Sequence, residues 1–540
     1  MTAARRVVLG LLLLATGSAM FWVWRQGQSD TVADPPVSRI ACLSYAAFRL
    51  PGETPFDPAQ IVSEARIEAD LRYIASHTGC VRSYSVGQGM DALPRVAQRL
   101  GMQVLLGIWI GRNKLLNEKE IALGIATARA YPDTVRAVVV GNEVLLRGEQ
   151  PEAALAAYIS RVRAEVPQPV TYADVWEFWL RHARLVEAAS FVTVHILPFW
   201  EDNPVPIDHA VDHVLSIYDK VKARFPGQDV VIGETGWPSV GRDRHGAVPS
   251  RANAARFVRG VVAAAEQRGI RYNVVEAFDQ PWKRQLEGAV GGYWGIFASD
   301  GSAKFPLHGP VVEEPRWIWG LGCGALVGLL FLLACVGRKP RPTWAGCLGL
   351  GLTGIAAGVA LAVQARTIWL TARSPFEYGV GACFSGISLA ACWLLGWSLV
   401  HWLNGGPARQ VPAVVRLGND PAAQGLLSVT RIVLLFGAAA TNLLLAFDSR
   451  YRDFPIEWLI APASGFGLLT IVRPRGPAAV DAREEWLLAA VILASVPAIL
   501  AIEGLANLHA LVWVALCAVL ACSLGLPRKG SALRRAHKYQ

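Results

Sequence analysis

From Trp317 to about residue 525 the chain is a succession of seven apolar runs, and this feature limits what it can fold into. The runs lie at about 317–336, 344–363, 379–402, 427–447, 456–472, 486–504 and 507–525. Each is near the roughly 20 residues that a helix needs to cross a bilayer. An eighth run, Val7 to Trp24, follows Arg5 and Arg6. Its apolar residues continue past Gly17-Ser18-Ala19 through Phe21, Trp22, Val23 and Trp24, which favours an uncleaved anchor over a removed signal segment. The expected organisation is an anchor or signal segment at 1–29, a globular domain at 30–315, a transmembrane domain of about seven helices at 316–526 and a basic tail at 527–540.

The net charge of +10 points to a polyanion only until it is mapped. Residues 30–315 hold 33 Asp and Glu against 30 Lys and Arg, and the rest of the chain holds 9 against 22. The basic excess therefore belongs to the apolar part, and no basic stripe interleaved with aromatics marks a nucleic-acid surface. With the N-terminus placed inside and the spans alternating, fifteen positive charges fall in inner segments. They are Arg5, Arg6, Arg338, Lys339, Arg341, Arg409, Arg416, Arg473, Arg475, Arg483, Arg528, Lys529, Arg534, Arg535 and Lys538. Only Arg366, Arg373, Arg450 and Arg452 fall in outer loops. The positive-inside rule then places residues 30–315 outside, which in a two-membrane bacterium is the periplasm, with the lipid bilayer as a partner. Arg431, Asn442, Glu457, Glu503 and His509 lie within or near spans, where interfacial placement or pairing between helices is expected.

The nine cysteines have no metal-ligand spacing, and neither a metal nor a cofactor is expected. Seven lie in or beside apolar runs. Cys42 and Cys80 fall on neighbouring strands; two buried thiols are expected there, and an oxidising compartment would permit a disulfide.

Between Arg39 and Trp282 eight β-rich runs alternate with helical stretches: 40–48, 80–86, 102–110, 135–144, 169–176, 191–200, 229–237 and 273–282. Eight such units in about 250 residues predict a closed (β/α)8 barrel, so the fold class is α/β followed by an all-α membrane region. No Gly-rich phosphate turn follows the first strand, which argues against a doubly wound sheet. Polar and aromatic residues gather at the C-terminal strand ends: Tyr84, Trp109, Asn142, Glu143, Trp176, His195, Glu234, Trp237, Asp279 and Trp282. In a barrel those ends share one face.

Glu143 ends strand four and Glu234 ends strand seven, so their carboxyl groups face each other across the barrel mouth. Cleaving a glycosidic bond through a covalent intermediate needs such a pair about 5 Å apart, one attacking the anomeric carbon and the other serving as acid and then base. Asn142 is placed to hydrogen-bond a sugar 2-hydroxyl. Glu276 is a third carboxylate or half of an ion pair. His195 is expected as a wall residue of the substrate cleft. Trp109, Trp176, Trp179, Trp200, Trp237, Trp282 and Trp294 divide between core and cleft, because sugar faces stack on aromatic rings.

VVVGNEV (138–144), followed 91 residues later by VIGETGWPS (231–239), resembles glycoside hydrolase family 17, and VRSYS near Arg82 and FDQPWK near Asp279 extend the likeness over about residues 39–306. The resemblance implies Glu143 as acid/base, Glu234 as nucleophile, and Tyr84 and Asn142 at the subsite of the attacked sugar. His195, Trp237, Asp279, Trp282 and Lys283 complete the expected substrate-binding set. The chain departs from the plant pattern where it carries His195-Ile196-Leu197-Pro198-Phe199-Trp200 in place of a Tyr after strand six, and Gln280 in place of a Glu after strand eight. Its layout resembles the membrane-bound bacterial type of the rhizobial β-(1→6)-glucan synthase. That likeness implies a β-glucan oligosaccharide or polysaccharide as substrate and a glucan synthase or exporter as neighbour. No Q-x-x-R-W sequence of processive nucleotide-sugar synthases occurs. The expected activity is β-1,3-glucanosyl transfer forming β-1,6 links, with membrane-anchored hydrolysis and non-catalytic glucan binding or export as the alternatives.

Overall fold

The computed structural model describes residues 1–409, 411, 422–447, 451–472 and 483–524. Arg416, Arg450, Arg473, Arg475 and the expected basic tail at 527–540 lie outside the described residues. The chain divides into two compact units, Ser29–Val312 and the pair of segments Met1–Gln28 and Glu313–Gln540.

The Ser29–Val312 unit is a closed parallel barrel. Its strands are β1 (Leu43–Ser44), β2 (Cys80–Arg82), β3 (Gln103–Ile108), β4 (Val135–Asn142), β5 (Val170–Val175), β6 (Val192–His195), β7 (Val230–Thr235) and β8 (Arg271–Val274). Closure runs through β1, where Leu43 pairs with Val81 of β2 and with Val274 of β8. All eight expected strands form, each shorter than its apolar run, because the last residues of each run leave the ladder to build the mouth.

The core lies between strands and helices. Val81, Val104, Val138, Val140, Val194 and Ile232 pack there with Ile67, Leu71, Ile121, Leu155, Val214 and Val262 of the surrounding helices. Local chemistry sets the helix limits. The Ser250 side chain accepts from Asn253 N to start Arg251–Arg268, and Gly269 ends that helix in the left-handed region at φ 64°. Inside the barrel the filling is polar where bulky aliphatic residues usually sit. Thr171 and Thr193 share a 2.9 Å hydrogen bond, and Asn273 donates to Ser44 at 2.6 Å and to the Gly233 carbonyl at 2.9 Å. These small side chains leave the upper barrel open for longer ones.

The barrel corrects the expectation of two free thiols. The β1–β2 register brings the Cα atoms of Cys42 and Cys80 to 4.5 Å, and the two are disulfide-bonded.

The other unit is helical: Ala3–Gln26, Trp317–Leu333, Trp344–Thr371, Pro375–Leu403, Ala422–Phe447, Ile456–Val472, Arg483–Glu503 and Leu508–Cys522. By length and composition five can cross a membrane: Ala3–Gln26, Trp344–Thr371, Pro375–Leu403, Gly425–Phe447 and Arg483–Glu503. The other three have 17, 17 and 15 residues, so that seven apolar helices follow Arg316 among the described residues. The apolar runs overstate helix length because their ends turn: Ala334 to Val336 lie past one helix, and Asn507 caps another. Fifteen residues extend only about 22 Å against a hydrocarbon core of about 30 Å.

Polar groups in this unit pair between and along helices. Arg431 meets Glu485 at 2.7 Å, Asn442 donates to Ser495 at 2.9 Å and accepts from Trp513 at 2.7 Å, and Thr367 donates to Glu457 at 3.0 Å. Between successive helices, Asn507, the cap of Leu508–Cys522, donates at 2.7 Å to Glu503 at the end of Arg483–Glu503. The first helix belongs to the same packing. Thr16 donates to the Leu352 carbonyl at 3.3 Å, and a Cβ at Gly320 would meet Val23 at 2.9 Å.

Replacing Cys42 or Cys80 with Ser reopens a loop spanning 38 residues of sequence separation and should lower stability by about 2–4 kcal/mol. Chemical unfolding with and without reductant measures the loss. Alkylation without reductant should leave both residues unlabelled in the native protein, and labelling of either would refute the bond.

Candidate active site

Glu143 follows β4 directly, and the backbone is shaped to present it. Gly141 has φ 84°, where a Cβ would meet Val144 at 2.7 Å, and Glu143 itself has φ 52°, a region that side chains other than Gly rarely adopt. The strained turn is held from β5: Glu143 N donates to the Ala173 carbonyl at 2.8 Å, Leu145 N to the Tyr172 hydroxyl at 3.0 Å and Leu146 N to Asp174 at 3.4 Å. Glu234 lies within β7, where register shifts at Val194/His195 and Ile232/Thr235 re-aim side chains near the mouth. Gly233 must be small, because a Cβ would meet Thr193 at 2.5 Å and His195 at 3.2 Å.

A carboxylate oxygen of Glu143, one of Glu234 and a ring nitrogen of His195 all lie within 4.8 Å of one another. The Glu143 side chain is 23% exposed and that of Glu234 is 9% exposed. Arg82, 1% exposed, is the hub. Its Nη1 donates to Glu234 Oε1 at 2.9 Å and to the Gly233 carbonyl at 2.8 Å, and its Nη2 donates to Asn142 Oδ1 at 2.5 Å. The guanidinium also covers the Tyr84 ring at 4.9 Å.

Guanidinium only donates, and this fixes its neighbours. Asn142 turns Oδ1 to Arg82 and keeps Nδ2 as a donor. His195 Nε2, 3.4 Å from Arg82 Nη1, presents its lone pair, so Nδ1 carries the proton and donates to Glu143 Oε1 at 2.9 Å. The described contacts to both glutamates fall on Oε1, and in each the other oxygen is left for a ligand. Glu143, His195 and Glu234 are metal-ligand types, but a cation among them would sit against the Arg82 charge.

Burial opposes ionisation of Glu143, but the hydrogen bond and dipole of His195 and the charges of Arg147 and Arg82 outweigh it and hold this carboxyl below its ordinary range. Burial, with the Glu234 charge, pushes the Tyr84 phenol up. Burial lifts Asp174 to about 6.

The structure sorts the remaining expected site residues. Asp279 is not a free sugar ligand: it is buried, accepts from Lys304 at 2.6 Å and from Gly295 N at 3.0 Å, and burial lifts its pKa to about 6 despite Lys304. Trp237 is corrected to core; it is 1% exposed, donates to the Val248 carbonyl at 3.0 Å and packs edge-on to Phe199. Lys283 pairs with buried Glu276 at 2.9 Å, and burial lifts Glu276 to about 7 against the pull of that lysine. Gln280 is buried as a bracket, donating to the Ala46 carbonyl at 3.1 Å and accepting from Trp282 at 2.9 Å. Trp282 is half-buried, edge-on to exposed Phe56. Of the seven tryptophans, Trp179, Trp237 and Trp294 are buried, whereas Trp109, Trp176, Trp200 and Trp282 keep exposed surface. Arg147 covers the Trp109 ring at 4.4 Å, and Trp200 stacks on Trp294 at 6.1 Å.

The residue that sequence reasoning missed is Arg82. Its signal was a charge in a short β-rich run, CVRSYSV, that the barrel buries.

Paired carboxylates at the mouth of a (β/α)8 barrel, at the spacing of a double displacement, define a glycoside hydrolase of the retaining kind. Residues 52–295 match the BtgE/BtgC glycoside hydrolase domain. A glucan 1,3-beta-glucosidase of Arthroderma benhamiae is 30% identical over 268 residues, covering 46% of this chain and 85% of that protein. One of Candida albicans is 26% identical over 293 residues, covering 50% and 94%. A glycoside hydrolase family 17 beta-1,3-glucanosyltransferase from Rhizomucor miehei, of known structure, is 28% identical with a TM-score of 0.44, covering 51% and 98%. The chain belongs to glycoside hydrolase family 17.

Arg82→Ala would leave the Glu234 carboxylate beside an emptied, desolvated space and should cost about 3 kcal/mol of stability. In a Glu234→Gln background the cost should shrink by about 1 kcal/mol or more, since no charge is then stranded. Equal costs in the two backgrounds, read from denaturant midpoints, would show that Arg82 acts through packing alone.

Proposed function

We propose that this chain is a membrane-bound retaining β-glucan-active enzyme, a β-1,3-glucanosyltransferase that forms β-1,6 links in periplasmic or exported glucan. The observation that carries the reading is the approach of Glu143 and Glu234 to within 4.8 Å across the mouth, near the roughly 5 Å of retaining enzymes and short of the roughly 6.5–9.5 Å of inverting ones.

In this reading Glu234 Oε2 attacks the anomeric carbon while Glu143 Oε2 gives its proton to the departing glycosidic oxygen. The glycosyl-enzyme ester leaves Glu143 as the carboxylate. An acceptor hydroxyl then attacks the same carbon from the vacated side, the ester bond to Glu234 breaks to release its carboxylate, and Glu143 takes the acceptor's proton, restoring the starting state. Asn142 Nδ2 donates to the 2-hydroxyl, a contact that strengthens as the oxocarbenium-like state develops. Trp109, Trp176, Trp200 and Trp282 supply exposed ring surface for sugar faces beyond the attacked residue.

Two features favour transfer in a membrane setting. The catalytic unit is joined to helices of which five are long and apolar enough to cross a bilayer, an arrangement with little use for a scavenging hydrolase and a clear one beside a glucan synthase or exporter. The Cys42–Cys80 disulfide and the excess of basic residues in the opposite loops support an external, oxidising location such as the periplasm, and the packing of Ala3–Gln26 among the other helices supports its retention. The second reading, a membrane-anchored β-1,3-glucan hydrolase, draws on the relatives named glucan 1,3-beta-glucosidase. A purely glucan-binding or export role leaves the opposed glutamates without a use.

Incubating the detergent-solubilised full chain with β-1,3-gluco-oligosaccharides and following product length by mass spectrometry separates these readings. Products longer than the substrate, carrying β-1,6 linkages by NMR, are expected. Shorter products alone would establish hydrolysis, and unchanged substrate would leave the binding role. Glu234→Gln should abolish glycosyl-enzyme formation and lower turnover by at least about 10³-fold; an intermediate trapped on any other residue would overturn the assignment.

A further inference from the structure

We infer that His195 is a positioning residue for the acid/base step, fixing which Glu143 oxygen carries the proton and strengthening that group as an acid. The inference rests on the reading of Glu143 as acid/base.

The geometry is asymmetric. His195 is buried at the end of β6, its Nε2 faces Arg82, and its Nδ1–H is spent on Glu143 Oε1 at 2.9 Å. A carboxyl group whose Oε1 already accepts a hydrogen bond carries its proton on Oε2. Turning the ring over to release Oε1 would cost His195 both the Arg82 contact and the Glu143 hydrogen bond. Whenever Glu143 is protonated, the proton is thereby held on one oxygen.

The same hydrogen bond strengthens during the step. While Glu143 is protonated, Nδ1–H meets a neutral carbonyl oxygen. As the proton passes from Oε2 to the glycosidic oxygen, charge spreads onto Oε1 and the bond becomes charge-assisted. An interaction stronger in the transition state than in the ground state accelerates the step. It does so most where protonation matters most, with poor leaving groups such as sugar hydroxyls. The charged and titratable groups around Glu143 are Arg82 on β2, Arg147 after β4, Tyr172 and Asp174 on β5, His195 on β6 and Glu234 on β7. Burial raises the Glu143 pKa, whereas His195, Arg147 and Arg82 lower it, with the His195 hydrogen bond the largest lowering contribution.

The test uses the full chain in detergent with two substrates, a β-1,3-gluco-oligosaccharide and an activated aryl β-glucoside. Glu143 must be protonated for the first step, so kcat/KM on the oligosaccharide falls as pH rises through the Glu143 pKa. Removing the His195 donor raises that pKa and moves the basic limb upward. His195→Gln, whose amide nitrogen falls near Nε2, should move the limb up by about one unit and slow the oligosaccharide about tenfold more than the aryl glucoside. His195→Asn, whose amide nitrogen falls near Nδ1, should restore most of both. Basic limbs that coincide in wild type, His195→Gln and His195→Asn would overturn the inference, as would equal slowing of the two substrates. Glu143→Gln is the separate control: if it keeps the basic limb, the acid/base reading fails, irrespective of what His195 does.

Discussion

Removing the Arg82 guanidinium from water costs several kcal/mol, and the barrel offsets that cost only because three acceptors and one aromatic ring converge on it. Glu234 brings an opposite charge, the Gly233 carbonyl and Asn142 Oδ1 bring acceptors, and the Tyr84 ring covers a face. Each partner is oriented by the bargain. Since guanidinium has donors and no acceptors, it dictates the amide orientation of Asn142 and the tautomer of His195, and through His195 it reaches Glu143. One buried cation thus sets the direction of hydrogen bonding through the whole site. The polar filling beneath it, Ser44, Thr171, Thr193 and Asn273, follows from the same demand, because a floor of branched aliphatic side chains would leave neither room nor acceptors for Arg82.

The arrangement also suits a reaction in which negative charge changes place. In the proposed double displacement the charge begins on Glu234 and, once the ester forms, resides on Glu143. Arg82 touches the first glutamate directly and faces the second through the imidazole, so the cation neighbours the charge in either state without moving. Preorganised groups of this kind stabilise charge where it develops and need no rearrangement at the moment of reaction. The strained backbone at Glu143 has a similar logic. A residue at φ 52° persists only if its surroundings overdetermine it, and three hydrogen bonds to β5 residues do so.

What the sequence made legible follows from which forces are local. The eight strands were readable because each is an apolar run bounded by turn residues, and the two glutamates because each closes a strand with a glycine two or one residues before it: Gly141 for Glu143, Gly233 for Glu234. The rest depended on the third dimension. Trp237 and Trp282 look alike at strand ends, but one turns into the helix layer and the other toward the rim, a choice fixed by the packing of Phe199 and Phe56. Asp279 looked available because its partner, Lys304, lies 25 residues further on. Cys42 and Cys80 meet because of the β1–β2 register, which composition does not encode. Arg82 was visible as a residue and invisible as a hub, since its partners come from four different strands or their ends.

The helical unit shows the same contrast between composition and packing. Three of the apolar helices after Trp317 have only 15 to 17 residues, at or below the lower end of what crosses a bilayer core, a mismatch that membrane thinning or flanking residues reaching to its surface would absorb. Short helices are tolerated where neighbours satisfy their ends. Asn507 does so for the helix Leu508–Cys522 by accepting from Ala510 N while donating to Glu503. Hydrocarbon supplies no hydrogen bonds, so polar groups in such a unit must find each other. The Arg431–Glu485 pair and the Asn442 cluster with Ser495 and Trp513 tie helices far apart in sequence into one packing. A bundle held by specific polar contacts has a defined register, which greasy surfaces alone would not impose.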